Sequence, residues 1–461
     1  MNTKSELNIE VIRTSVMLGV ILCFVFSGFA ALLYQTAWMR QFSLVFGTSE
    51  LAVAAVLSAY MGGLALGSSI AARYVHRVTR PVLFYGLLEA GIAASALAVP
   101  LLLKLTHSIY VLLFGGQPEP VDASGLGQSF FYLGTAFVVL AIPTTFMGAT
   151  LPLLTKYFVQ TEGQIGPRVG LLYATNTAGA VAGTIAAGFF LLPALGLQGT
   201  VLVGVAANLL VFFIAAWIAK KVGAQTVPED FQAEASEAKA PASKLSPATP
   251  HGWAQSWILT LMLISGANSF VYEILWTRLL GHVLGGSVAA FATMLASFLS
   301  GIAIGSAIAA RFATNKTRAI YGMVLVQVGI ALASMLIYQL LPLVLPENSG
   351  LQGNAILAFA ILFPATLFIG ATYPFAVRIA ALSKDDASSA AARVYAWNTV
   401  GAILGATLAA FFLIPILKYE GAIKTAVLIN MTLAIGAALL IPENRGRRAA
   451  VALASVLAIF F

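Results

Sequence analysis

Apolar runs of about 20 residues, broken by short polar punctuation, follow one another along almost the whole chain. They predict helices at about 14–36, 50–72, 81–104, 128–153, 168–192 and 198–220, and again at about 254–276, 288–310, 318–342, 354–378, 393–415 and 421–441. A run of that length spans roughly 30 Å of hydrocarbon as a helix. Residues 222–252 break the pattern. They are rich in Ala, Pro, Ser and charge and have no apolar period, which is how a flexible, solvated linker reads. The first run follows Lys4 and Arg13 and so resembles a secretory signal, but its ending recurs in mid-chain, where nothing is cleaved. It reads as a retained helix.

The polar residues repeat as well as the apolar ones. Residues 27–73 return at 265–311 without a gap, with 19 of 47 positions identical. SGFAALLYQTAWMR (27–40) answers SGANSFVYEILWTR (265–278), and GLALGSSIAAR (63–73) answers GIAIGSAIAAR (301–311). Further on the offset falls from 238 to 222, so that FMGATLP (146–152) answers FIGATYP (368–374) and YATNTAGAVAG (173–183) answers YAWNTVGAILG (395–405). The change of offset places extra loop in the first half, near 105–127. The chain is a duplicated unit. Six helices per unit is an even number, so both halves enter the membrane from the same side and form a parallel repeat. The expected division is a first repeat over 1–221, the linker 222–252, a second repeat over 253–444, and a basic turn with a hydrophobic tail over 445–461. That tail is too short to cross, and it reads as the start of a thirteenth helix cut at a boundary.

Composition narrows the class. At 60% hydrophobic and 9% charged residues, the chain is far from a soluble domain, where about a quarter of residues are charged. Its mean hydropathy is +0.92. The net charge of +8 does not indicate nucleic acid, because the basic residues lie singly between apolar runs. Topology explains them. With the N-terminus inside, the inner loops hold Arg73, Arg77, Arg80, Lys156, Arg168, Lys220 and Lys221, and their counterparts in the second half. The N-terminus and linker are therefore expected on the cytoplasmic side of the inner membrane.

Catalytic vocabulary is scarce. No phosphate-binding glycine loop, HExxH or CxxC occurs, and the lone Cys23 cannot form an intrachain disulfide. No metal site, cofactor or catalytic residue is expected. What stands out instead is polar residues inside apolar helices, because a carboxylate in hydrocarbon is costly and tends to serve function. Gln35 pairs with Glu273 across the repeat, and Glu89 with Gln327. Each half thus keeps one carboxylate and one amide, and contacts between Gln35 and Glu89 and between Glu273 and Gln327 would join the first and third helices. The same residues suit proton coupling, cation binding or a structural hydrogen bond. Tyr34/Tyr272, Trp38/Trp276 and Arg40/Arg278 surround the first pair. They read either as an interfacial belt or as an aromatic site for an amine, with Arg278 near enough to Glu273 to pair at a folded end. Asn176 and Asn398 sit among Gly179/Gly183 and Gly401/Gly405, a small-residue pattern for tight packing with Asn as glue or as a substrate contact.

Taken in order, SG…Y[QE]..W.R, G.A.GS.IAAR, GAT.P and Y…NT.GA..G resemble the membrane region of the bacterial fused major facilitator/spermidine synthase proteins. The likeness runs through both halves. It implies an all-α, major-facilitator-like bundle, normally joined to a C-terminal aminopropyltransferase domain of Rossmann type that uses decarboxylated S-adenosylmethionine. Nothing in this chain matches that domain, so no catalytic residue carries over. Three readings stay open: a module that binds or moves a small solute such as a polyamine, a membrane spermidine synthase whose catalytic part lies in a separate or following segment, and a non-transporting scaffold.

Overall fold

A computed structural model describes residues 3–46, 50–114, 126–223, 251–285, 287–344, 351–441, 447–448, 451–452 and 454–455. Twelve long helices account for nearly all of them. In the first half these are α1 (Thr3–Phe46), α2 (Glu50–Tyr74), α3 (Pro81–Phe114), α4 (Leu126–Phe158), α5 (Ile165–Ile185) and α6 (Leu192–Gly223). The second half has α7 (His251–Leu284), α8 (Val288–Phe312), α9 (Lys316–Val344), α10 (Leu351–Ala380), α11 (Ala387–Leu408) and α12 (Ile414–Ala438). Among the described residues there is no strand. Most of the 222–252 linker and of the 445–461 tail lies outside the described residues.

Among the described residues ten stretches are long and apolar enough to cross a membrane, but two of them run to 60 and 52 residues, more than twice what a bilayer needs. Both double back. Gly179 and Gly183 of α5 lie against Val25 and Phe29, so α5 runs in the direction of α1; in α6, Ile218 meets Gly19 and Gly204 meets Tyr34, the opposite sense. Between α5 and α6 a π-helical turn (Ala186–Leu191) leads into a break at Gly196, with φ 67° and ψ −171°. Its counterpart at offset 222 is Lys418, with φ 57° and ψ −174°, after the π-helical turn Ala409–Leu413. Glycine adopts that backbone freely, whereas a side chain there costs about 1–3 kcal/mol. Lys418→Gly is therefore expected to raise stability by about 1 kcal/mol in a thermal unfolding assay, and a loss would show that the lysine side chain is needed at the turn.

Glycines set the helix contacts, and they do so twice. In the first half a Cβ on Gly67 would lie 1.8 Å from the Thr145 carbonyl oxygen, and one on Gly148 2.1 Å from that of Leu64. In the second half a Cβ on Gly305 would lie 1.8 Å from the Leu367 oxygen, and one on Gly370 2.1 Å from that of Ile302. Backbones of α2 and α4, and of α8 and α10, are thus in direct contact, which is how helices associate when lipid supplies no hydrophobic drive. Lys156 at the end of α4 donates to the carbonyls of Val75, His76 and Val78, at 2.9, 2.9 and 2.8 Å, closing the turn after α2. Arg378, its counterpart, reaches the Thr314 carbonyl from α10. Parallel duplication is visible contact by contact.

Several helices exceed the predicted spans. α1 runs to Phe46, ten residues past the predicted end at 36. A hydropathy window finds where the surroundings turn polar, not where helical hydrogen bonding stops.

Candidate functional site

A cavity of about 200 Å³ lies where the two halves meet. Its lining is itself paired across the repeat: Leu32 with Phe270, Gln35 with Glu273, Tyr60 with Phe298, Tyr173 with Tyr395, Asn176 with Asn398 and Thr177 with Thr399. The helical register explains the set. Ser27, Ala31 and Gln35 follow at i, i+4 and i+8 on one face of α1, and Asn176 and Ala180 do the same on α5. Among the described lining residues Glu273 is the one charged group. It is half-buried and forms no hydrogen bond or ion pair among the described residues. Gln35 faces the same space. Asn176 donates its amide to the Phe24 carbonyl at 3.2 Å, so it is both glue and lining.

The expected contact between Gln35 and Glu89 does not form. Glu89 is fully buried inside the first half, where the Asn208 amide of α6 donates to its Oε2 at 2.5 Å. Asn208 in turn accepts from the Tyr34 hydroxyl at 2.8 Å. In the second half Gln327 accepts from the Asn430 amide at 2.6 Å and donates to Ser265 Oγ at 3.2 Å, rather than meeting Glu273. Position on α1 decides this: Tyr34 points toward Asn208 of α6, Gln35, one residue further, is turned about 100° away into the cavity, and Ser27 borders both Glu89 and the cavity. Glu273 and Arg278 also do not pair. They lie five apart on the continuous α7, about 140° apart around its axis, and Arg278 engages other groups.

Tyr34, Trp38, Tyr272 and Trp276 are no interfacial belt. Each is at most 1% exposed, packed inside its own half and not on the cavity wall. Tyr34 and Trp38 stack with ring centroids 5.0 Å apart. Arg40 is exposed and borders a separate hollow beside Gly188 and Val288. Of the twelve residues singled out by sequence, four reach the central cavity: Gln35, Glu273, Asn176 and Asn398.

On the linker side the cavity is shut. Ser68 Oγ donates to the Ala392 carbonyl at 2.8 Å, joining α2 to α11, and its counterpart Ser306 donates to Gly170 at 3.0 Å, joining α8 to α5. Ser389 adds a bond to the Ala72 carbonyl at 3.1 Å. Above these lies a tyrosine plug: Tyr173 and Tyr373 have ring centroids 4.6 Å apart, and Tyr373 and Tyr395 6.3 Å. Neither Ser68/Ser306 nor Asn208/Asn430 was singled out by sequence. The signal was present, since both pairs recur at the repeat offsets.

No protein-family model matches the chain, and no curated protein sequence matches it. Solved structures do. A bacterial homologue of the iron transporter ferroportin, in its outward-facing state with soaked iron, superposes with a TM-score of 0.56 at 10% identity, over 92% of this chain and 99% of its own. The E. coli fucose:proton symporter, FucP, gives a TM-score of 0.55 at 12% identity, over 93% and 99%. At such identities the likeness shows the fold, which is major-facilitator-like.

Proposed function

We propose that this major-facilitator-like bundle moves a small organic amine across the membrane by alternating access, with Glu273 as the anionic contact in the central cavity. A lone carboxylate in that cavity is the observation that carries the reading. A half-buried carboxylate without a partner is costly to keep ionised, so a site that keeps one is suited to a cation that arrives with the solute. No basic residue stands among the described lining residues to compete for it. Tyr60, Tyr173 and Tyr395 supply ring faces for an ammonium, and Gln35, Asn176 and Asn398 supply amide oxygens. One carboxylate suits an amine bound by one end, the remainder resting on amides and rings. The paired lining supports rocking of one half against the other about a central site.

The motif likeness to fused major facilitator/spermidine synthase proteins makes polyamines the first amines to try. The basic loops favour a cytoplasmic linker, so this conformation is the one closed to the cytoplasm. The test is uptake of labelled putrescine and spermidine into proteoliposomes. Saturable uptake above protein-free liposomes is expected, and none from folded protein would refute the amine reading.

A further inference from the structure

The two buried networks share an Asn, a Ser and a Glu or Gln at matching positions; around them Asn208 accepts from Tyr34 where Asn430 accepts from Asn268, and within the shared core one atom of Glu89 is informative. In the second half Gln327 offers an acceptor and a donor. Its Oε1 accepts from Asn430, and its Nε2 donates to Ser265 Oγ and faces Met323 Sδ at 3.8 Å. In the first half Asn208 stands for Asn430, Ser27 for Ser265, Tyr85 for Met323 and Glu89 for Gln327. Glu89 Oε2 accepts from Asn208 just as Gln327 Oε1 accepts from Asn430. By elimination its Oε1 is the counterpart of the Gln327 amide nitrogen, which in the second half is a donor. Oε1 is buried without a hydrogen bond, with the hydroxyls of Ser27 and Tyr85 as its neighbours.

We infer that Glu89 is a proton-carrying site, holding a proton on Oε1 in this conformation and exchanging it with the central cavity through Ser27. Protonated, Glu89 presents a donor on Oε1 beside Ser27, as Gln327 presents its Nε2 to Ser265. Ionised, it would be a fully buried charge with no cation beside it, which desolvation disfavours. Among the described residues the ionisable groups that face it are Cys23 and Tyr34 from α1 and Tyr85 from α3 itself, all neutral near pH 7, with none from α4 or α6. Ser27 completes the path because it both adjoins Glu89 and lines the cavity. In the transfer the Oε1–H bond breaks, Ser27 Oγ takes that proton, and the original Ser27 hydroxyl proton passes to water in the cavity. A carboxylate remains on Glu89, and the reverse sequence reloads it. This goes beyond the amine reading and does not depend on it.

Infrared difference spectroscopy on the purified protein tests it with no amine present. Subtracting the Glu89→Gln spectrum from wild type at neutral pH should reveal one carboxylic-acid C=O band, and that band should shift on transfer to heavy water. Ser27→Ala should slow the shift at least tenfold while leaving the band in place. Glu89→Gln should fold as wild type does, since Gln327 already fills that position in the other half. A wild-type spectrum without the band, or a shift rate unchanged in Ser27→Ala, would overturn the inference.

Discussion

Glu273→Gln is expected to weaken putrescine binding at least about 30-fold while leaving the protein folded. Removing one member of a buried, hydrogen-bonded charge pair costs about 2–5 kcal/mol, and 1.4 kcal/mol corresponds to a factor of ten. The upper part of that range applies where the partner charge is left dry. The cavity wall offers no second carboxylate among its described residues, so nothing nearby takes over. Folding should survive because the equivalent position in the first half, Gln35, is already an amide in the same cavity. That pairing allows a sharper form of the experiment. Restoring a carboxylate on the opposite wall, as Gln35→Glu in the Glu273→Gln background, should recover part of the affinity. Scintillation-proximity binding of labelled putrescine reads both. Equal affinity in wild type and Glu273→Gln would remove Glu273 from the site.

The second large effect is structural. Gly67→Leu is expected to abolish a stable bundle, because its Cβ alone would sit 1.8 Å from the Thr145 carbonyl oxygen. The obstacle is backbone, which cannot swing aside as a side chain can. Overpacking of a core typically costs about 1–3 kcal/mol, and forcing α2 from α4 along a backbone contact belongs at or beyond the upper end. Gly134→Leu is the control, since a Cβ there meets nothing within 4 Å. Size-exclusion profiles and thermal unfolding in detergent should show Gly67→Leu aggregated or strongly destabilised, with Gly134→Leu like wild type. Two similar profiles would mean that the α2/α4 contact is looser than described.

Much of this architecture was legible in the residues. Helix number, the doubled unit and the tight Gly contacts all follow from apolar length and the two repeat offsets, because a bilayer fixes helix length and lipid leaves small residues to hold helices together. The site was legible in part. Gln35 and Glu273 stood out as polar residues on an otherwise apolar face, and both line the cavity. Tyr34 and Trp38 misled for a physical reason: predicted to lie at a helix end near 36, they are interior because α1 continues to Phe46. The partner of Glu89 could not be found by local spacing, since Asn208 is 119 residues away. Only its recurrence as Asn430 hinted that α6 carried a polar group of consequence. Ser68 and Ser306 were hidden by their kind, as a serine amid small residues reads as packing until its hydroxyl is seen to cross between halves.

The account rests on the halves separating on the linker side to release what Glu273 holds. A disulfide across that seam tests it directly. Ser68→Cys with Ala392→Cys puts one cysteine on each side of the seam that the Ser68 Oγ–Ala392 carbonyl bond crosses at 2.8 Å, and Cys23, the lone native cysteine, is buried and is replaced by Ala to clear the background. Putrescine counterflow is measured in proteoliposomes before oxidation, after it and after reduction. Flux should stop when the bond forms and return when it is reduced. Undiminished flux through cross-linked protein would contradict alternating access through this cavity.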